Sequence, residues 1–159
     1  MQYSILCVGK LKEKYFVDAV REYEKRLSRY GRLTIQEVPD EKTKDGASFA
    51  LEQQIREKEG ERLLSCIKDT MYVIALDLKG KEYDSVMFSN HLESLMLNGK
   101  SHIAFIIGGS LGLASSVLKR ADESVCFSKM TFPHQLMRVI LLEQLYRANR
   151  IRCNEPYHK

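Results

Sequence analysis

Short apolar runs alternate along this chain with segments whose apolar residues recur at helical spacing. That alternation restricts the fold more than any other feature. Strand-like runs cover residues 3–8, 33–38, 71–77, 102–107 and 124–127. Between them Phe16, Val20, Tyr23, Leu27 and Tyr30 share one helical face, and Leu51, Ile55 and Ile67 mark a second, charged helix with Gly60 as a weak point inside it. Phe88, Leu92, Leu95 and Met96 mark a third helix stopped by Gly99, a short helix covers 116–121, and the last runs over 133–150. Strands separated by helices predict an α/β domain with a mostly parallel sheet and helices on both faces. No linker, repeat or low-complexity stretch divides it, so one domain over 1–159 is expected.

The last helix is apolar nearly all round: Leu136, Met137, Val139, Ile140, Leu141, Leu142, Leu145 and Tyr146. One sheet face cannot cover that circumference. The helix is therefore either deeply buried or half of a dimer interface.

Composition narrows the class of partner. A net charge of +4 permits an acidic partner without demanding one. No apolar run approaches the ~20 residues of a membrane helix, and the first residues lack the pattern of a signal peptide, so a cytoplasmic protein is expected. Cys7, Cys66, Cys126 and Cys153 are scattered, and no histidine stands at ligand spacing from them. No metal site is expected, and Cys7 and Cys126 read as small buried hydrophobes.

Three strand ends should meet at one edge of the sheet: Leu76-Asp77-Leu78, Gly108-Gly109-Ser110 and the stretch Phe127 to Phe132. Ligands of open α/β sheets gather outside the carboxyl ends of strands. Gly108-Gly109 could equally serve only to turn the chain. The segment Gly108 to Gly112 is not the dinucleotide fingerprint, and no phosphate-binding P-loop sequence occurs. Pro133 suits a helix start, and His134 there would cap or pack. Arg138, Arg147, Arg150 and Arg152 give the C-terminal third a basic bias that most simply reads as a solvated helix face. The tail could be a frayed end, yet Tyr157, His158 and Lys159 combine an aromatic plate, a titratable ring and a cation. No nucleophile–base pair stands out; Cys153 and His158 come nearest.

Longer motifs go further. Ile107-Gly108-Gly109-Ser110-Leu111-Gly112-Leu113, Phe127-Ser128-Lys129-Met130-Thr131-Phe132-Pro133-His134, Tyr146-Arg147-Ala148 and Pro156-Tyr157-His158 occur in this order. With Val8-Gly9-Lys10-Leu11-Lys12, Glu37-Val38-Pro39 and Lys58-Glu59-Gly60 they span the chain. Together they resemble the large-subunit ribosomal RNA methyltransferase H family of the SPOUT methyltransferases. Asn154 stands where other members can have glycine.

The resemblance implies a C-terminal trefoil knot around an S-adenosylmethionine site, a threading that general rules of chain topology disfavour. It implies a homodimer with the last helix at the interface. The implied activity is methylation of pseudouridine-1915 at N3 in the 23S rRNA of assembled ribosomes. The implied cofactor contacts are Leu76, Gly108, Phe127, Ser128, Lys129, Met130, Thr131 and Phe132. On that reading His158 is the expected proton acceptor, acting in the partner subunit's site. Tyr157 would stack on the base, and Arg147 or Lys159 would hold phosphate or the ionised uracil edge. The competing readings are a SPOUT enzyme with another RNA target, a dimer that binds S-adenosylmethionine without catalysis, and a nucleotide-dependent oxidoreductase lacking the usual fingerprint.

Overall fold

Successive side chains of a strand point to opposite sides, so a run buried at every position must be covered on both faces. The first strand, β1 (Gln2–Val8), is such a run from Tyr3 onward in the computed structural model, which describes residues 1–43 and 45–158. It is followed by α1 (Lys14–Leu27), β2 (Arg32–Val38), α2 (Phe49–Ser65), β3 (Tyr72–Glu82) and α3 (Ser85–Leu97). Then come β4 (His102–Ile107), α4 (Ser115–Arg120), β5 (Glu123–Cys126) and α5 (His134–Arg152). The strands form one sheet in the order β2-β1-β4-β3-β5, and every pairing is parallel.

Two cores result. Tyr3, Ile5 and Cys7 of β1 pack with Val20 and Leu27 of α1, Phe88 and Leu92 of α3, and Leu141, Leu142 and Leu145 of α5. Leu6 and Val8 face the other way, against Leu63 of α2 and Ala114 and Val117 beside and within α4. The α/β sandwich expected from the alternation is therefore present, with α1, α3 and α5 on one face and α2 and α4 on the other.

Local chemistry caps the helix ends. Ser48 and Asp84 accept hydrogen bonds from Leu51 and Met87 at the starts of α2 and α3. Gly99 (φ +79°) follows α3, and Pro133 stands immediately before α5. At the far end of α5 the Glu155 N–H bonds the Arg150 carbonyl and the Asn154 N–H bonds that of Ile151, each at 2.9 Å. This is a Schellman closure, whose left-handed position falls on Asn154 (φ 52°). Asparagine tolerates that conformation best after glycine, which accounts for the Asn/Gly exchange here.

Several sequence expectations are corrected. Tyr30 and Ile67 lie beyond the ends of α1 and α2. β3 does not stop at Asp77: after a register shift between Leu76 and Lys81 it pairs again, Lys81 with Val125 and Glu82 with Cys126. Gly80 permits this, because a Cβ there would stand 2.6 Å from the β5 backbone. Gly60 is more than a weak point. It is buried, and a Cβ would meet that of Ala114 at 2.8 Å, so glycine lets α4 approach α2. Arg138 is not on a solvated face; it is wholly buried.

α5 is deeply buried along one side only. It packs against α1 and α3, burying Leu141, Leu142, Leu145 and Ala148. Leu136, Met137, Val139, Ile140 and Tyr146 stay half-buried. The chain reaches α5 by returning from the edge strand β5 across the strand ends to β1, where Arg138 donates to the carbonyls of Val8 (3.1 Å) and Gly9 (2.5 Å).

Candidate active site

The carboxyl ends of β3, β4 and β5 deliver three loops to one place, as parallel strands must. Between them lies a cleft of about 960 Å³, bounded by residues 76–79, 107–113, 125–128 and 130–134, with Arg56, Leu118 and Met137. Leu76, Gly108, Phe127, Ser128, Met130, Thr131 and Phe132 all line it. Lys129 does not: its side chain is 87% exposed and its ammonium lies 3.8 Å from the Glu82 carboxylate.

Each wall has a local cause. The Gly112 N–H closes a turn onto the Gly109 carbonyl at 3.1 Å, with Gly112 at φ +81°. A Cβ on Gly108 would come within 2.9 Å of the Gly112 backbone, so glycine keeps this wall thin. Across the cleft, the Ser128 hydroxyl accepts the Met130 N–H (3.0 Å) and the Cys126 thiol donates to the Ser128 carbonyl (3.2 Å). These short-range bonds shape a loop with no regular structure.

Beneath the loops sit buried polar groups. The Arg138 guanidinium pairs with the Glu37 carboxylate at 2.5 Å, and Glu37 also accepts the Leu11 N–H. The spacing of Arg138 to Leu141, Leu142 and Leu145 already put it on the buried helix face; its charge had masked that signal. Burial lowers the pKa of His134, and the Arg138 charge acts in the same direction, so a neutral imidazole lines the cleft at neutral pH. Glu59 is 5% exposed and accepts the Glu41 N–H at 2.9 Å. Burial raises its pKa, and a Cβ on Gly109 would meet its other carboxylate oxygen at 2.9 Å. Ile55 and Leu63, four residues to either side of Glu59, put it on the buried face of α2; here too the charge had masked the signal.

Arg147, Tyr157 and His158 form a second cluster. The Arg147 guanidinium stacks over the Tyr157 ring at 4.7 Å and lies 3.3 Å from His158 Nδ1. Glu143 takes the Arg147 charge at 2.6 Å and the Tyr157 hydroxyl at 3.4 Å. The tail is tied down: Glu155 pairs with Arg150 at 2.6 Å and accepts the Tyr30 hydroxyl, and Arg150 donates to the Pro156 carbonyl at 3.1 Å. Cys153 is exposed, and Lys159 lies outside the described residues. Arg147 follows His134 by 13 residues on α5, roughly 20 Å at 1.5 Å per residue. One chain thus assembles the cleft residues and the tail residues, but not one set with the other. Among the described residues no cluster of metal ligands occurs, and no helix is long and apolar enough to cross a membrane.

Comparison with known proteins bears on this geometry. A family model described as "Predicted SPOUT methyltransferase" matches residues 1–158. The chain is 62% identical over 159 residues to Ribosomal RNA large subunit methyltransferase H 1 of Clostridium perfringens (strain SM101), covering all of both chains. It is equally similar, over the same span, to Ribosomal RNA large subunit methyltransferase H of Clostridium kluyveri. Among solved structures, a methylase family protein of Haemophilus influenzae superposes with a TM-score of 0.58 at 14% identity, over 99% of this chain and 70% of that one. A Legionella pneumophila protein in complex with the bound cofactor SAM superposes at 0.51 and 9% identity, over 93% and 66%. These two likenesses show the fold. The strand-end cleft, the full-length family match and the full-length relatives agree: the chain belongs to the SPOUT methyltransferase family.

Proposed function

We propose that this enzyme methylates N3 of pseudouridine-1915 in the 23S rRNA of assembled ribosomes, using S-adenosylmethionine, as a cytoplasmic homodimer. The observation that carries the reading is the coincidence, in one cleft, of the three strand ends with a glycine turn thin enough to let a ligand reach the backbone. A cleft of about 960 Å³ with mostly apolar and backbone walls has room for a nucleoside carrying an amino-acid arm. The relatives' names supply the RNA class. The return of the chain from β5 over the strand ends is the path a trefoil knot requires.

Leu76, Gly108, Phe127, Ser128, Thr131 and Phe132 would hold the adenosine, with Met130 and the Lys129 backbone completing the loop. Bound S-adenosylmethionine supplies an electrophilic methyl group on a sulfonium. The cleft fixes the approach of the base and excludes water. An N3–H group is a poor nucleophile until it loses its proton. His158 accepts that proton, Tyr157 stacks on the base, and Arg147 stabilises the negative charge that develops on the ring. The roughly 20 Å along α5 between the two clusters requires the tail of one subunit to serve the cleft of the other. The half-buried side of α5 is the surface available for that pairing.

Transfer of labelled methyl from S-adenosylmethionine to ribosomes lacking this modification tests the reading, with free 23S rRNA and tRNA in parallel. Label is expected in ribosomes, at N3 of one pseudouridine. Label in tRNA alone would move the target while keeping the chemistry. No label anywhere, despite cofactor binding, would leave a non-catalytic binding protein.

A further inference from the structure

Arg56 is the one arginine that lines the cleft, and its charge is unanswered among the described residues. It stands at the start of the third turn of α2, half-buried. Its Nε donates to Gln53 at 3.3 Å and its Nη1 to the Leu111 carbonyl at 3.3 Å, and the guanidinium lies 5.9 Å from the Phe49 ring centroid. No carboxylate pairs with it, whereas the half-buried Arg26, Arg62, Arg147 and Arg150 each have one. Glu52 and Glu59, four residues before it and three after it on the same helix, form no ion pair with it; Glu59 accepts the Glu41 N–H, and Glu57 is engaged by the Ser116 hydroxyl at 2.9 Å. Asp77, the carboxylate in the cleft lining, accepts the Lys79 N–H at 3.0 Å.

A guanidinium anchored on one edge to a main-chain carbonyl presents its other N–H groups in a fixed fork. That fork matches a carboxylate, and its partial burial strengthens the pairing relative to open solvent. The remaining cleft cations are poorer candidates for an anion. Lys79 is exposed and His134 is neutral at neutral pH.

We infer that Arg56 is the anchor for the amino-acid carboxylate of the cofactor, seated beside the glycine turn 109–112. The assignment rests on the cofactor reading above and adds orientation to it. The amino-acid arm points toward α2 and the nucleoside toward the 127–132 loop. An arm fixed in this way limits rotation about the sulfonium and so helps aim the methyl group.

A ligand-by-variant cycle on the full chain tests this, using calorimetry with two probes. One is S-adenosylhomocysteine. The other is its decarboxylated form, which keeps the amine and lacks only the carboxylate. The wild-type chain should prefer the first by roughly 10- to 100-fold, the range of a charge-assisted pair. Arg56→Gln, which keeps a polar side chain but loses the charge, should erase that preference by weakening the first probe alone; Arg56→Lys should keep part of it. Equal weakening of both probes would mean that Arg56 only shapes the turn, and an unchanged preference would place the carboxylate elsewhere. Either result overturns the assignment. Failure of the wild-type chain to bind either probe would instead remove the cofactor reading. Thermal unfolding of Arg56→Gln within about 2 °C of wild type is the control for folding.

Discussion

Two buried charges beneath the cleft behave oppositely when altered. Arg138 holds β1, β2 and α5 together through the Val8 and Gly9 carbonyls and the Glu37 carboxylate. Arg138→Ala removes all of these contacts and opens a cavity. Because Glu37 keeps 30% exposure and can rehydrate, the cost should fall near the low end for a broken buried pair, about 3 kcal/mol. Urea unfolding measures it, and a midpoint unchanged from wild type would contradict the account. Glu59 is a buried acid whose pKa lies above its usual value of 4.5, chiefly from burial. A raised carboxylate pKa means the folded state holds its proton longer than the unfolded chain does. The fold is therefore favoured below about pH 4.5 and loses that advantage as pH rises through the folded pKa. Glu59→Gln keeps an oxygen to accept the Glu41 N–H and removes the titration. Its stability relative to wild type should grow from acid to neutral pH, and melting curves between pH 4 and 8 should show the gap widen. A gap constant with pH would mean that Glu59 ionises freely.

At the scale of elements, the sequence showed best what is periodic and local. All five strands and five helices were legible from apolar spacing and from Gly and Pro punctuation. What escaped depends on partners distant in the chain. Leu78-Lys79-Gly80-Lys81 looks like a turn, and only the presence of β5 alongside makes it a strand again. Gly60 looks like a helix defect until α4 is placed against it. The cleft loops were legible because strand ends of a parallel sheet must converge, whereas Arg56 was not, since α2 carries charge on every side. Gly80→Ala tests the β3 extension. The added methyl meets main-chain atoms of Ser124 and Val125 that cannot step aside, so a destabilisation of about 1–3 kcal/mol is expected. The shifted β5 carries Phe127 with it, and affinity for S-adenosylhomocysteine should fall at least several-fold. Full affinity with reduced stability would show that the extension braces the fold without shaping the cleft.

For the whole molecule, the decisive arrangement is that cleft and tail sit at opposite ends of α5. The tail is held in place by Arg150, Glu155 and Tyr30 rather than left to fray, so a partner subunit would meet it in a defined shape. If each site takes its cleft from one subunit and Arg147, Tyr157 and His158 from the other, two inactive variants should rescue each other. Gly108→Val would block the cleft, since even a Cβ there crowds Gly112; His158→Ala would disable the tail. Each homodimer should be inactive on ribosomes. After unfolding and refolding an equal mixture, half of the dimers carry one subunit of each kind. In these, the His158→Ala subunit offers an intact cleft to the intact tail of the Gly108→Val subunit. One composite site in every mixed dimer gives about a quarter of the wild-type methyl transfer, by the combinatorics of a two-fold dimer. Activity near zero would mean that each subunit uses its own tail, which would require the tail to leave the Arg150–Glu155 clamp and travel the length of α5. Disrupting that clamp with Glu155→Ala separates the two cases: a tail that serves the partner from its docked position should lose activity, whereas one that must first be released should gain it.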